Sequence, residues 1–143
     1  MPEKPKIIEI HIPSIIGYEK VAMESAAAAA KIIGFHKTRV EDLKTAISEA
    51  CSNSIEHGNR FKKDTMVLVT LQVNEKSLEV NIKDEGKGFP KKVKAPEIDK
   101  QINGTEDTRG WGIFLIKSLV DEVEIKKIPT GGNVTRMVIH VNR

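Results

Sequence analysis

Ile8, Ile10 and Ile12 alternate with Glu9 and His11 along KIIEIHIP at 6–13, the period of a strand with one buried face, which Pro13 then stops. The next apolar stretch, from Ile15 to Ile33, changes period. It is dense in alanine, which gives up no side-chain entropy in a helix, with Ser14 as a cap before it and Gly34 placed to end it. The run AAAAA at 26–30 also lets a helix approach a sheet closely, so packing is its expected role. Thr38 with Glu41 spells a capping box for a second helix, whose apolar face passes through Leu43, Ile47, Ala50, Cys51 and Ser54. His57 and Gly58 are expected to end that helix, histidine favouring its dipole and glycine supplying a left-handed cap.

Strand periodicity returns in TMVLVTLQV at 65–73 and SLEVNIKD at 77–84, which flank Asn74, Glu75 and Lys76 as an antiparallel hairpin and deliver Asp84 to a strand end. The Gly-, Pro- and Lys-rich segment 86–108 is long for a plain connection and has the length of a functional lid. A third helix is expected over about 111–121, carrying Ile113, Leu115, Ile116 and Leu119. DEVEIKKI and NVTRMVIHV close the chain as strands joined by Pro129, Thr130, Gly131 and Gly132. The order is strand, helix, helix, two strands, helix, two strands, without internal repeats. It predicts the α+β class: a two-layer α/β sandwich with a mixed, mostly antiparallel sheet and helices on one face.

The 143 residues suit one domain, 1–143, long enough to bury a sizeable core. A hydrophobic fraction of 39% and a charged fraction of 30% are those of an ordinary soluble protein, and no apolar run can cross a bilayer. MPEKPKIIEIHIP lacks the apolar core of a signal peptide, so the expectation is a cytoplasmic protein without membrane contact. The net charge of +3 is mild, and aromatics make up only 4% of the chain, too few to interleave with the basic residues; no direct nucleic-acid partner is expected. A single cysteine, Cys51, excludes an internal disulfide and sits on the apolar side of the second helix, where a buried, inert thiol is expected. His11, His36, His57 and His140 show no ligand spacing for a structural metal.

The candidate chemistry lies in three segments: SEACSNSIEHG at 48–58, DEGKGF at 84–89 and RGWGIFLIKSLVDEVEI at 109–125. Glu49 and Asn53 are one helical turn apart, so carboxylate and amide leave the same face of the helix, at the border of its apolar side. Gly86 and Gly88 allow close approach of backbone to a ligand, and Gly110 and Gly112 stand where a third helix begins, its free N–H groups suited to phosphate oxygens. No GxxxxGK(S/T) loop, dinucleotide GxGxxG after a strand, or HRD and DFG pair is present, so the common phosphate-binding designs do not account for these segments.

A helix with Glu-x-x-x-Asn, then Asp-x-Gly-x-Gly, then Gly-x-Gly entering a helix resembles the ATP-binding domain, of Bergerat type, shared by sensor histidine kinases, gyrase, the ninety-kilodalton chaperones and mismatch-repair ATPases. EACSNSIEHG with LIKSLVDEVEI is most similar to stand-alone bacterial anti-sigma factors that are also serine-protein kinases, from Ile8 to Val141. The resemblance implies ATP and Mg2+ as cofactors. It makes Asn53 the magnesium ligand, Glu49 the general base, and Asp84 the reader of adenine, with Thr135 reaching the base edge. Gly86 and Gly88 pass close to the base, Gly110 and Gly112 serve the phosphates, and Arg109 contacts the terminal phosphate and stabilises charge during transfer. RGWGI departs from the relatives by setting Trp111 between the glycines, where smaller residues are common.

The implied partners are an anti-anti-sigma protein of STAS type as substrate, a sigma factor, and a second copy of the chain as homodimer. Two other readings stay open: a non-catalytic module that uses ATP to order a docking surface, and the catalytic domain of a two-component histidine kinase. FHKTRVEDL around His36 invites the latter comparison but lacks the acidic residue and proline that usually frame a phosphoacceptor.

Overall fold

The computed structural model describes residues 4–86 and 105–141, with side chains at 105–111 left aside. Five strands form one sheet in the order β1-β2-β3-β5-β4: β1 Lys6–Pro13, β2 Met66–Val73, β3 Ser77–Lys83, β4 Glu122–Lys127 and β5 Asn133–His140. Helices α1 (Glu19–Ile33), α2 (Lys37–Asn53) and α3 (Thr105–Leu119) form the second layer. The two-layer α+β sandwich is the expected class. Within it every strand pair is antiparallel, so the sheet carries no parallel pair among the described residues. Two helical passes between β1 and β2 reverse the chain once more than a single crossover would. One pass between β3 and β4 gives them a common direction, and β5 then inserts between them.

Period-two patterning builds the core. Val67, Val69 and Leu71 of β2, Leu78, Val80 and Ile82 of β3, and Met137 and Ile139 of β5 are all buried. Register carries the alternation across strands, as in Val69↔Ile82 and Val80↔Met137. Each such side chain contributes about 1.5–3 kcal/mol on burial. Ala22, Ala26, Ala29 and Ala30 of α1 share one buried cluster with Leu43, Ala46, Ile47 and Ala50 of the adjoining α2, so the alanine run is a packing surface as expected.

The helix ends differ from expectation in instructive ways. Gly34 ends α1 in the left-handed region at φ 106, as its position predicts. Ser14, by contrast, does not cap α1, which starts at Glu19; its hydroxyl is buried against Thr65 Oγ1 at 2.8 Å. His36, not Thr38, caps α2, its Nδ1 accepting from the Thr38 N–H at 3.2 Å. α2 then runs into one widened π turn, Ser54–Gly58, closed by Asn59 N–H on the Ser54 carbonyl at 2.8 Å. Gly58 is not left-handed; Arg60 and Phe61 adopt the positive φ values, 49 and 60, just beyond it. No helix among the described residues is long and apolar enough to cross a membrane.

Candidate functional site

α2 positions the carboxylate–amide pair. Its buried side, Ala46, Ile47, Ala50 and Cys51, is fixed against the core, which leaves Glu49 and Asn53 half-buried at the border and Glu56 exposed. Cys51 is fully buried; desolvation, and secondarily the charge of Glu19, push its thiol up to about 12. The burial is that which its helical position predicts.

Asn53, Asp84 and Thr135 line one small cavity of about 20 Å³, room for roughly one water molecule. Its other walls are Ala50, Ser54, Ile113, Ile116, Ile125 and Asn133, an apolar lining with a few converging polar groups. Thr135 reaches this face because β5 places it opposite Ile82, on the helix-covered side of the sheet. Glu49 stands one turn back along α2 and packs against α3. A Cβ at Gly112 would collide with Glu49 Oε2 and lie 2.9 Å from its Cδ.

Asp84 follows β3 directly and is 4% exposed. Its backbone N–H donates to the Asn133 carbonyl at 3.0 Å, and the Asn133 N–H donates to its Oδ1 at 3.1 Å. The carboxylate rests on Gly58, where any Cβ would clash with it; close approach, not a left-handed cap, is what this glycine permits. Gly86 takes φ 68 and sits against the Gly131–Gly132 turn, and a side chain at Gly132 would strike the Asp84 carbonyl. Two glycine turns far apart in sequence thus pack on the Asp84–Glu85 backbone, while Gly58 meets the carboxylate.

One residue in this region escaped the sequence reading. Asn59 is fully buried; its Nδ2 donates to Ser14 Oγ at 3.0 Å and to the Met66 carbonyl at 3.1 Å, and its Oδ1 accepts from the Glu85 N–H at 2.8 Å. Glu85 in turn accepts at Oε2 from the Met66 N–H at 2.6 Å. An asparagine after glycine reads as an ordinary turn residue, and no local period marks it.

The largest departure from expectation is the glycine-flanked helix start at 109–112. α3 begins at Thr105, so Arg109, Gly110 and Gly112 lie inside the helix and not at its start. Thr105, Glu106 and Asp107 supply the polar and acidic residues that favour a helix N-terminus, and they move the start ahead of the glycines. The Arg109 side chain, Gly88, and Lys87, Lys91, Lys92 and Lys94 lie outside the described residues, as does most of the expected lid.

An antiparallel five-stranded sheet under a helix layer, with α2 and α3 meeting over the strand-end carboxylate, is the architecture of an ATPase domain of the histidine-kinase type. The chain belongs to that family: the model of the histidine kinase-like ATPase domain matches residues 14–139. It is similar to serine-protein kinase RsbW of Listeria innocua, 32% identical over 82% of this chain and 78% of that protein. A second relative, serine-protein kinase RsbW of Bacillus pumilus, is 31% identical over 100% of this chain and 91% of its own length. Among solved structures, the RsbU and RsbW domains of a Mycobacterium tuberculosis protein share the fold over 95% of this chain, at TM-score 0.68 and 17% identity. The chain spans 32% of that longer structure.

Proposed function

We propose that this protein is an ATP- and Mg2+-dependent serine/threonine protein kinase that acts as a cytoplasmic anti-sigma factor, switching between a sigma factor and an anti-anti-sigma protein of STAS type that it phosphorylates. The observation that carries this reading is the convergence of Asn53, Asp84 and Thr135 on one apolar-walled cavity, with Glu49 a turn away on α2. The residue types suit an adenine nucleotide: aliphatic walls for the faces of a base, a carboxylate and a hydroxyl for its edge, and an amide oxygen for magnesium. The relatives' names support protein serine as the acceptor.

ATP, when bound, supplies the phosphoryl group, and magnesium offsets its charge. The chain's own residues do the rest. Asp84 accepts from the 6-amino group of adenine, where guanine presents a carbonyl oxygen, a second acceptor. Asn53 would hold the metal through its amide oxygen. Glu49 accepts the proton of the attacking serine hydroxyl, and Arg109 stabilises charge on the transferred group. The cavity, about 20 Å³ as it stands, would have to widen to admit the nucleotide.

The test is transfer of labelled phosphate from ATP to proteins of the source cell by wild type, Glu49→Gln and Asn53→Ala. The expected result is label on serine or threonine of one small protein with wild type. Glu49→Gln should bind ATP but transfer at least about a hundredfold more slowly, and Asn53→Ala should weaken magnesium-dependent binding. The packed Glu49 carboxylate favours one alternative, a nucleotide-gated docking module. That reading prevails if Glu49→Gln retains partner affinity and wild type transfers no label.

A further inference from the structure

We infer that Asn59 is a positioning residue for base recognition: it sets the direction of the Asp84 carboxylate, and with it the preference for adenine over guanine. This rests on the reading of Asp84 as the base reader.

The Cα–Cβ direction of a side chain is fixed once the peptide planes on both sides of its Cα are fixed, and a hydrogen bond to its tip then selects the rotamer. Asp84 has both held. Its own N–H is tied to the Asn133 carbonyl at 3.0 Å, and the following peptide is tied through the Glu85 N–H to Asn59 Oδ1 at 2.8 Å. The Asn133 N–H then engages Oδ1 of the carboxylate itself at 3.1 Å. One asparagine belongs to the end of the α2 region and the other to β5, so Asp84 is held from two elements at once.

Only an amide can do what Asn59 does. The Glu85 N–H needs an acceptor, whereas Ser14 Oγ and the Met66 carbonyl need donors, and Asn59 provides both kinds at 0% exposure. Aspartate would set an acceptor against the Met66 carbonyl, and leucine would leave all three groups without this partner. Ser14 also meets the Thr65 hydroxyl, at 2.8 Å, so the network has a purely structural arm that does not reach Glu85. That arm gives the control.

The experiment measures ATP and GTP binding by titration calorimetry in magnesium, with thermal unfolding alongside, for wild type, Asn59→Ala, Ser14→Ala, Asp84→Asn and Asn59→Ala/Asp84→Asn. Asn59→Ala should weaken ATP about tenfold and leave GTP nearly unchanged, while Ser14→Ala lowers the unfolding temperature but keeps the ATP:GTP preference. In the Asp84→Asn background the Asn59 change should have no further effect on ATP. The inference is overturned if Asn59→Ala and Ser14→Ala both lower stability and both keep the preference. If Asp84→Asn alone binds ATP as wild type does, the base-reader assignment itself fails and this inference with it. Asn59→Ser, which keeps a polar group in the network, replaces Asn59→Ala if the latter does not fold; retention of the full preference by that variant also overturns the inference.

Discussion

At the scale of single residues, the environment of Cys51 makes two measurable statements. Its thiol is pushed up to about 12 from 9.0, because burial opposes the thiolate and Glu19 adds like charge. Between those values the unfolded chain has lost the proton and the folded chain still holds it, so stability falls as pH rises from about 9 toward 12. Wild type should lose unfolding free energy over that range, and Cys51→Ala should lose measurably less. At pH 8 the native thiol should resist iodoacetamide and react once urea unfolds the chain; rapid labelling of the native protein would contradict the burial. This residue was legible in the sequence because its neighbours Ile47 and Ala50 place it on the apolar side of a helix. Gly58 and Asn59 were not legible in the same way. Each is explained by a partner brought in from afar, the Asp84 carboxylate over the one and the Glu85 N–H on the other. Such long-range contacts leave no trace in local periodicity.

At the scale of elements, the contact between α2 and α3 makes a prediction in which stability and activity move in opposite directions. Gly112 lies in the interior of α3, where glycine costs about 1 kcal/mol relative to alanine. The atoms that a Cβ would meet are the far end of the Glu49 side chain, which can swing aside. Gly112→Ala should therefore raise the unfolding temperature by roughly 3–5 °C, while displacing the carboxylate and slowing phosphoryl transfer. A fall in unfolding temperature, or unchanged turnover, would show that the contact is not as described. Gly132→Ala should do the reverse on the stability axis, because its Cβ would strike the Asp84 carbonyl, a backbone atom without freedom to yield; a drop in unfolding temperature together with weaker ATP binding is expected. The elements themselves were largely legible: β1 runs over the residues its alternation predicts, and α1 stops at Gly34. The start of α3 was not. The glycines in RGWG invite a helix to begin there, yet the polar and acidic residues at 105–107 carry the helix further back. The π turn at Ser54–Gly58 was equally hidden, because a widened turn has the composition of an ordinary one.

At the scale of the whole molecule, both layers end on the same side. β1 is an edge of the sheet, and α1, which packs on α2, β1 and β2, is the outer helix above it. Ile7, Ile8, Ile15, Ile16, Tyr18 and Val21 are all 40% or more exposed along this side. A protein that works alone normally blunts such an edge, and among the described residues of β1 it is Lys6, Glu9 and Pro13 that do so. A second copy related by a two-fold axis perpendicular to the sheet would extend the strands and the helices at once, covering the exposed apolar residues with their own equivalents. The register that sets Ile10 opposite its copy also sets Ile8 opposite Ile12, and Glu9 opposite His11, so apolar residues meet on the helix-covered face and an acceptor meets a donor on the other. Light scattering coupled to gel filtration should accordingly find a dimer for wild type. Ile8→Lys and Val21→Glu should each shift it to monomer with little change in unfolding temperature at low protein concentration, since neither side chain belongs to the buried core. If both variants keep the dimer mass, the two-fold contact lies elsewhere on the molecule; if wild type is already a monomer, the apolar side of α1 and β1 is left for a different protein partner.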